Sequence, residues 1–142
     1  MNKLDKFSSA LDLINALYQT HGRLKNIQQK IALQNALTAP QLDVLVILKS
    51  NGPQQLNKIS RKMMVTGANI TCITDNLEKE GYLTRIYPKE DRRVIIAELT
   101  KKGEQKLDRL LPDYENHLMN MWNKLNKAEQ KNLITLLEKI YK

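Results

Sequence analysis

At 142 residues the chain is long enough for one domain with a real core, 1–142. Hydrophobic residues make up 42% and charged residues 27%, and no apolar run approaches a membrane span, so a soluble protein is expected. Net charge is +8, which favours a polyanionic partner. Residues 54–103 are the most basic at +4, against +3 for 1–35, 0 for 36–53 and +1 for 104–142. Composition alone leaves membrane surface, RNA and DNA open. A lone cysteine cannot form an internal disulfide, which fits a reducing compartment and a cytoplasmic location.

The N-terminal segment MNKLDKFSSALDLINAL is amphipathic and carries Asp5 and Asp12. It lacks the basic region, apolar core and small-residue cleavage site of a secretory signal. Phe7, Leu11, Ile14, Leu17, Tyr18, Leu24, Ile27 and Ile31 keep helical spacing and predict a long first helix over residues 4–33, weakened at Gly22. Thr38-Ala39-Pro40-Gln41 is a helix start with Thr as N-cap, Pro in the first turn and Gln set for a capping box. The helix LDVLVILK that follows is apolar on nearly all sides and reads as the buried centre, closed by Ser50-Asn51-Gly52-Pro53.

Residues 54–63 predict a short helix with Leu56 and Ile59 inward. Met64-Val65-Thr66 is a brief turn into a helix over about 67–80, with Ile70, Ile73 and Leu77 as its buried stripe and Gly81 closing it. Two β-prone runs, 83–87 and 94–99, flank the polar tip Pro88-Lys89-Glu90-Asp91-Arg92-Arg93 and read as a hairpin. Thr100 opens a long amphipathic helix to about Leu125 in which Pro112 should introduce a kink. Asn126-Lys127-Ala128-Glu129 caps a last helix with Leu133, Leu136, Leu137 and Ile140 on one face.

Two helices joined by a tight turn and followed by a hairpin give the order of a winged helix-turn-helix, in a mainly α (α+β) chain. In that motif the second helix enters the major groove. With Ile70, Ile73 and Leu77 inward, its outward residues are Thr66, Ala68, Asn69, Thr71, Cys72 and Asn76. Asn bonds adenine bidentately, and Thr and Ala meet a thymine methyl. The competing reading is an ordinary helix start, with Thr66 serving only as its cap. Ser60, Arg61 and Lys62 close the preceding helix where phosphates would pass, or are a solvated helix end. A wing tipped with arginine suits the narrow minor groove. Asp91 is placed to hold an arginine by a charge-assisted bond.

The phrase DRRVIIAELTKKG closely resembles the signature of the MarR family of winged-helix transcription regulators, and the likeness extends through TAPQLDVL and ITCITDNLEKEGYLTR to both terminal helices. The family's wing pattern is Asp, any residue, Arg, matched here by Asp91 and Arg93. The resemblance implies that Arg93 enters the minor groove while Lys89 and Arg92 contact phosphates. It also implies a homodimer in which helices of about 1–35 and 104–142 intertwine around the DNA-binding region of about 36–103. A two-fold dimer would match a palindromic operator. The family often has Arg where this chain has Cys72 and Asn76, so operator preference is not carried over. Gly67-Ala68-Asn69-Ile70-Thr71 is similar to a subgroup that includes regulators of stress and of aromatic or quinone-like compounds.

The implied activity is that of a ligand-responsive repressor, without a cofactor, that binds double-stranded DNA and a small aromatic or phenolic effector. Tyr18, His21, Arg23 and Met63 are candidate effector-lining residues, each also readable as packing or surface. Cys72 supports an alternative, a redox-sensing regulator, because oxidation there would alter the DNA face directly. Family members that sense oxidants usually carry the reactive cysteine in the first helix, which has none here. A winged-helix module for architecture or protein interaction is the other alternative. An enzyme is not expected: His21 and His117 are isolated, and there is no phosphate-binding glycine loop or nucleophile–base constellation.

Overall fold

The computed structural model describes residues 2–142 and is built from six helices and three short strands among those residues. In chain order these are α1 (Lys3–Gln34), α2 (Ala39–Asn51), β1 (Gln54–Gln55), α3 (Leu56–Met63), α4 (Gly67–Lys79), β2 (Leu83–Ile86), β3 (Ile96–Leu99), α5 (Lys101–Trp122) and α6 (Lys127–Tyr141). Among the described residues no single helix is long and apolar enough to cross a membrane.

Helix α2 is the hub. Its start is the capping box expected of Thr38 and Gln41: the Gln41 N–H donates to Thr38 Oγ1 at 3.3 Å and the Thr38 N–H to Gln41 Oε1 at 2.8 Å. Its end is Gly52 at φ 72° and ψ −163°, an extended positive-φ conformation that glycine adopts without a Cβ penalty. Leu42, Val44, Leu45 and Leu48 are buried and pack with Ile31 of α1, Ile59 of α3, Ile70 and Leu77 of α4, Leu83 of β2, Ala97 of β3 and Leu107 and Leu110 of α5. Asp43 of α2 is half-buried at the meeting of α1, α2 and α5. It accepts a hydrogen bond from Gln28 Nε2 of α1, and its charge reaches Tyr114 of α5.

The sheet is antiparallel in the order β1-β3-β2. Strand β1 is a correction to the sequence reading, which placed Gln54 and Gln55 inside a helix. Their pairing with Ile96 and Ala97 extends the chain, and α3 starts only at Leu56. The hairpin strands are also shorter than expected, leaving Tyr87, Val94 and Ile95 in the loop. Gly22 does not break α1, which runs through it. Likewise α5 continues past Pro112 and ends at Trp122, three residues before the expected Leu125.

Two joints set the wing against the domain. After α4, Gly81 at φ 79° lets the Tyr82 N–H reach back to the Leu77 carbonyl at 2.9 Å. Thr100 then donates its hydroxyl to the Gly81 carbonyl at 2.6 Å while accepting the Gly103 N–H at 3.1 Å to cap α5.

The terminal helices are different in kind. Every residue of α1 from Leu4 to Gln19 is exposed, including Phe7 at 64% and Tyr18 at 72%. Helix α6 has the predicted Asn126–Glu129 capping box yet buries no residue; Leu133 and Leu137 are half-buried, and Leu136 and Ile140 are exposed. The C-terminal part of α1 is anchored in the core through Ile31 and Ala32, whereas its residues 4–19 and most of α6 leave apolar side chains without cover inside this chain.

Candidate nucleic-acid interface

The pair α3–α4 turns on three residues. Met64 takes the left-handed conformation at φ 55°, and the Val65 N–H donates to the Ser60 carbonyl at 3.0 Å. Thr66 then caps α4 by accepting the Asn69 N–H at 3.2 Å. Ile70, Ile73 and Leu77 face the core as the sequence periodicity predicts, joined by Thr74, whose hydroxyl donates to the Ile70 carbonyl at 2.8 Å. Thr74 escaped sequence reading because a hydroxyl satisfied within its own helix behaves as a small core residue.

Opposite that stripe, Asn69, Cys72 and Asn76 lie at i, i+3 and i+7 on one exposed row. Thr66 and Ala68 are exposed beside it. Thr71 is half-buried and donates its hydroxyl to the Gly67 carbonyl at 2.8 Å, so it turns toward the wing rather than along the row. Arg61 and Lys62 are exposed at the end of α3, with Lys62 Nζ 3.3 Å from Asn51 Oδ1. Ser60 stands apart: it is buried, and its hydroxyl donates to the Asn57 carbonyl at 3.0 Å. It lines the cleft between the helix pair and the wing, apart from Arg61 and Lys62.

At the wing tip the Asp-any-Arg pattern closes on itself. Asp91 Oδ1 accepts the backbone N–H of Arg93 at 3.0 Å and its Nε at 3.1 Å. The hydrogen bonds from Arg93 hold the Asp91 carboxyl below its ordinary range. The Arg93 side chain is 91% exposed despite this brace. Lys89 and Arg92 are exposed on either side. A cleft of about 220 Å³, lined by residues including Asn57, Gly67, Thr71 and Arg93, separates the first turn of α4 from the wing.

One group the sequence reading passed over joins the two halves. Arg85 of β2 reaches Glu78 and Asp75 on the flank of α4 that faces the sheet. Burial pulls the arginine's pKa down, but the hydrogen bond and charge of Glu78, with Asp75 nearby, outweigh it and raise it further. The available signal was Asp75 and Glu78 at i, i+3 followed by one arginine in the next strand.

The family model described as MarR family matches residues 37–95, from the start of α2 into the wing. An uncharacterised HTH-type transcriptional regulator of Bacillus cereus is 35% identical over 107 residues, covering 75% of this chain and 71% of that protein. The chain belongs to the MarR family of HTH-type transcriptional regulators. Another relative, the uncharacterised regulator YkoM of Bacillus subtilis, is 35% identical over 96 residues, 68% of this chain and 62% of its own length. Among solved structures, reduced AbfR bound to DNA shares 25% identity with a TM-score of 0.73, over 99% of this chain and 96% of that one. This MarR-family chain is thus a DNA-binding transcriptional regulator and not an enzyme. Its winged helix-turn-helix carries the expected Asp91–Arg93 wing. Among the described residues no group of three or more His, Cys, Asp or Glu is placed to hold a metal ion.

Proposed function

We propose that the protein is a ligand-responsive repressor that binds a palindromic operator as a homodimer. Asn69, Cys72 and Asn76, flanked by Thr66 and Ala68, read the major groove. Arg93 enters the adjacent minor groove, and Arg61, Lys62, Lys89 and Arg92 contact phosphates. The observation that carries this is the exposed row Asn69–Cys72–Asn76 beside an arginine already braced by Asp91 at the wing tip. The central excess of positive charge supplies the sequence-independent attraction.

The homodimer is supported by apolar side chains with no cover in the single chain: Phe7, Leu11, Ile14 and Tyr18 on α1, and Ile134, Leu136 and Ile140 on α6. An effector site is supported by a cleft of about 320 Å³ between α1 and α5. Arg23, His117 and Lys124 line it above Ile27 and Met121, a setting for a small anion with an aromatic or phenolic body. Of the residues considered from sequence, Arg23 lines this cleft, whereas Tyr18 and His21 are exposed elsewhere on α1 and Met63 sits on α3. A second reading, response to oxidants, rests on the exposure of Cys72 between Asn69 and Asn76. Oxidation would place polar oxygens on the reading face.

The test is selection of bound sequences from random duplex DNA at about 150 mM salt, where surface electrostatics are largely screened. Enrichment of an inverted repeat supports the dimeric, sequence-specific reading. Binding without enrichment points to an architectural role, and a folded protein that binds no duplex points to a protein-interaction module.

A further inference from the structure

We propose that Arg85 is a positioning residue for DNA binding: by tying β2 to Asp75 and Glu78 it sets the angle of the wing against α4, so that both engage DNA as one unit. This rests on the DNA-binding reading above and assigns a role to a residue whose side chain is turned into the joint between α4 and the sheet. The Arg85 side chain is only 16% exposed. Its Nε and Nη2 donate to Glu78 Oε2 at 2.9 and 2.8 Å, and Nη1 pairs with Asp75. Glu78 Oε1 takes the Arg85 backbone N–H at 2.8 Å as well. One carboxylate therefore grips both the strand and its side chain. The guanidinium faces inward and is committed to these partners.

The placement explains why this grip matters. Strand β3 is anchored by β1, but the four-residue β2 is the edge strand of the sheet, with no further strand on its outer side to hold it. Leu83 at its base and Ala97, opposite Arg85, are buried in the core, but toward the tip on the β2 side Ile86 and Tyr87 are exposed. Arg85, paired in register with Ala97, is the attachment on the β2 side nearest the tip. Asp75 and Glu78 lie on a different flank of α4 from Asn69, Cys72 and Asn76, so the clamp leaves the reading row free. A planar guanidinium fork fixes both distance and orientation, which a point charge does not.

The test is a double-mutant cycle on the operator recovered by selection, read by fluorescence anisotropy at fixed salt. Arg93→Ala should weaken the otherwise unchanged protein about tenfold. In an Arg85→Lys background the same change should cost only about twofold, because the wing is already misplaced, whereas uncoupled sites would add. Arg85→Lys keeps a cation beside the two carboxylates, which favours folding and separates positioning from charge neutralisation. Glu78→Gln breaks the clamp from the helix side and should shrink the Arg93 effect in the same way. An Arg93 effect of equal size in all three backgrounds overturns this inference and leaves the DNA-binding reading standing. An Arg93→Ala change without effect even in the unmodified protein overturns the wing reading and this inference with it.

Discussion

Asp91 and Arg93 form a closed unit at the wing tip, with one carboxylate oxygen taking both the backbone N–H and the Nε of the arginine at 3.0 and 3.1 Å. The arginine remains almost wholly exposed, so the brace restricts its rotamers without hiding it. A preorganised side chain loses less freedom on binding. Asp91→Ala should therefore weaken the selected operator about fivefold. It should also strengthen binding to random duplex slightly, since a negative charge leaves the DNA face. Anisotropy titrations on both DNAs check this, and a parallel gain on both would show that Asp91 acts only as a repulsive charge. Because the bonds from Arg93 depress its pKa, the Asp91 brace persists at neutral pH and is lost only as pH falls through that depressed value.

Asp43 gives the fold a pH dependence of opposite sign. Burial raises its pKa from 3.8 to about 6, with the Gln28 hydrogen bond opposing. Between those values the folded chain keeps a proton that the unfolded chain has released. Its stabilising contribution is thus complete below the ordinary carboxylate range and falls as pH rises through about 6. Asp43→Asn should raise the melting temperature at pH 8, by an amount equivalent to about 1–2 kcal/mol once solvent screening is allowed for. The gain should be clearly smaller at pH 5, inside that window, and should vanish only below the ordinary carboxylate range. Thermal melts at the two pH values check the sign, and a loss of stability at pH 8 would refute it.

The legibility of this chain follows the range of the interactions. Features closed within a few residues were readable: the Thr38–Gln41 and Asn126–Glu129 boxes, the 70-73-77 stripe, the Asp91–Arg93 pattern and the glycine after α4. What escaped depends on partners distant in sequence. Gln54 and Gln55 carry no strand signal of their own and are extended only because β3 offers backbone partners some forty residues later. Arg85 carries no signal of burial within its own segment; only the fold brings Glu78 and Asp75 to it. Ser60 shows the converse, since a polar residue at a helix end can still face inward when its hydroxyl is satisfied locally.

Two glycines in helices should respond in opposite directions. Gly22 sits in the middle of α1 with open space on its side-chain face, nothing lying within 4 Å of an added Cβ. Gly22→Ala should stabilise by about 0.5–1 kcal/mol through lower unfolded-state entropy and better helix propensity. At Gly103 an added Cβ would lie 2.0 Å from the Tyr82 carbonyl oxygen and 3.0 Å from its carbon. Both are backbone atoms, and Tyr82 is held by the Thr100 N–H at 3.1 Å, so the joint between wing and α5 must shift. Gly103→Ala should cost about 2 kcal/mol or more. Denaturant melts of both variants check the pair; a neutral Gly103→Ala would mean that the α5 start moves freely.

The exposed α1 row makes the assembly testable. Phe7, Leu11, Ile14 and Tyr18 follow the i, i+4, i+7, i+11 spacing of one helix face, and all four are exposed in the single chain. Burying such a row on a partner removes apolar surface at about 25 cal/mol per Å² and is the main force available to hold two chains together here. A charge inserted into that face would be stranded in an apolar interface, while it would be harmless on a surface that stays wet. Phe7→Glu with Ile14→Glu should therefore convert a dimer to a monomer in sedimentation velocity runs. The α2-centred core, which neither residue touches, should stay folded. Operator affinity should fall by at least about a hundredfold, because a two-site contact becomes a one-site contact. Unchanged sedimentation would remove α1 from the interface and shift attention to Ile134, Leu136 and Ile140 of α6.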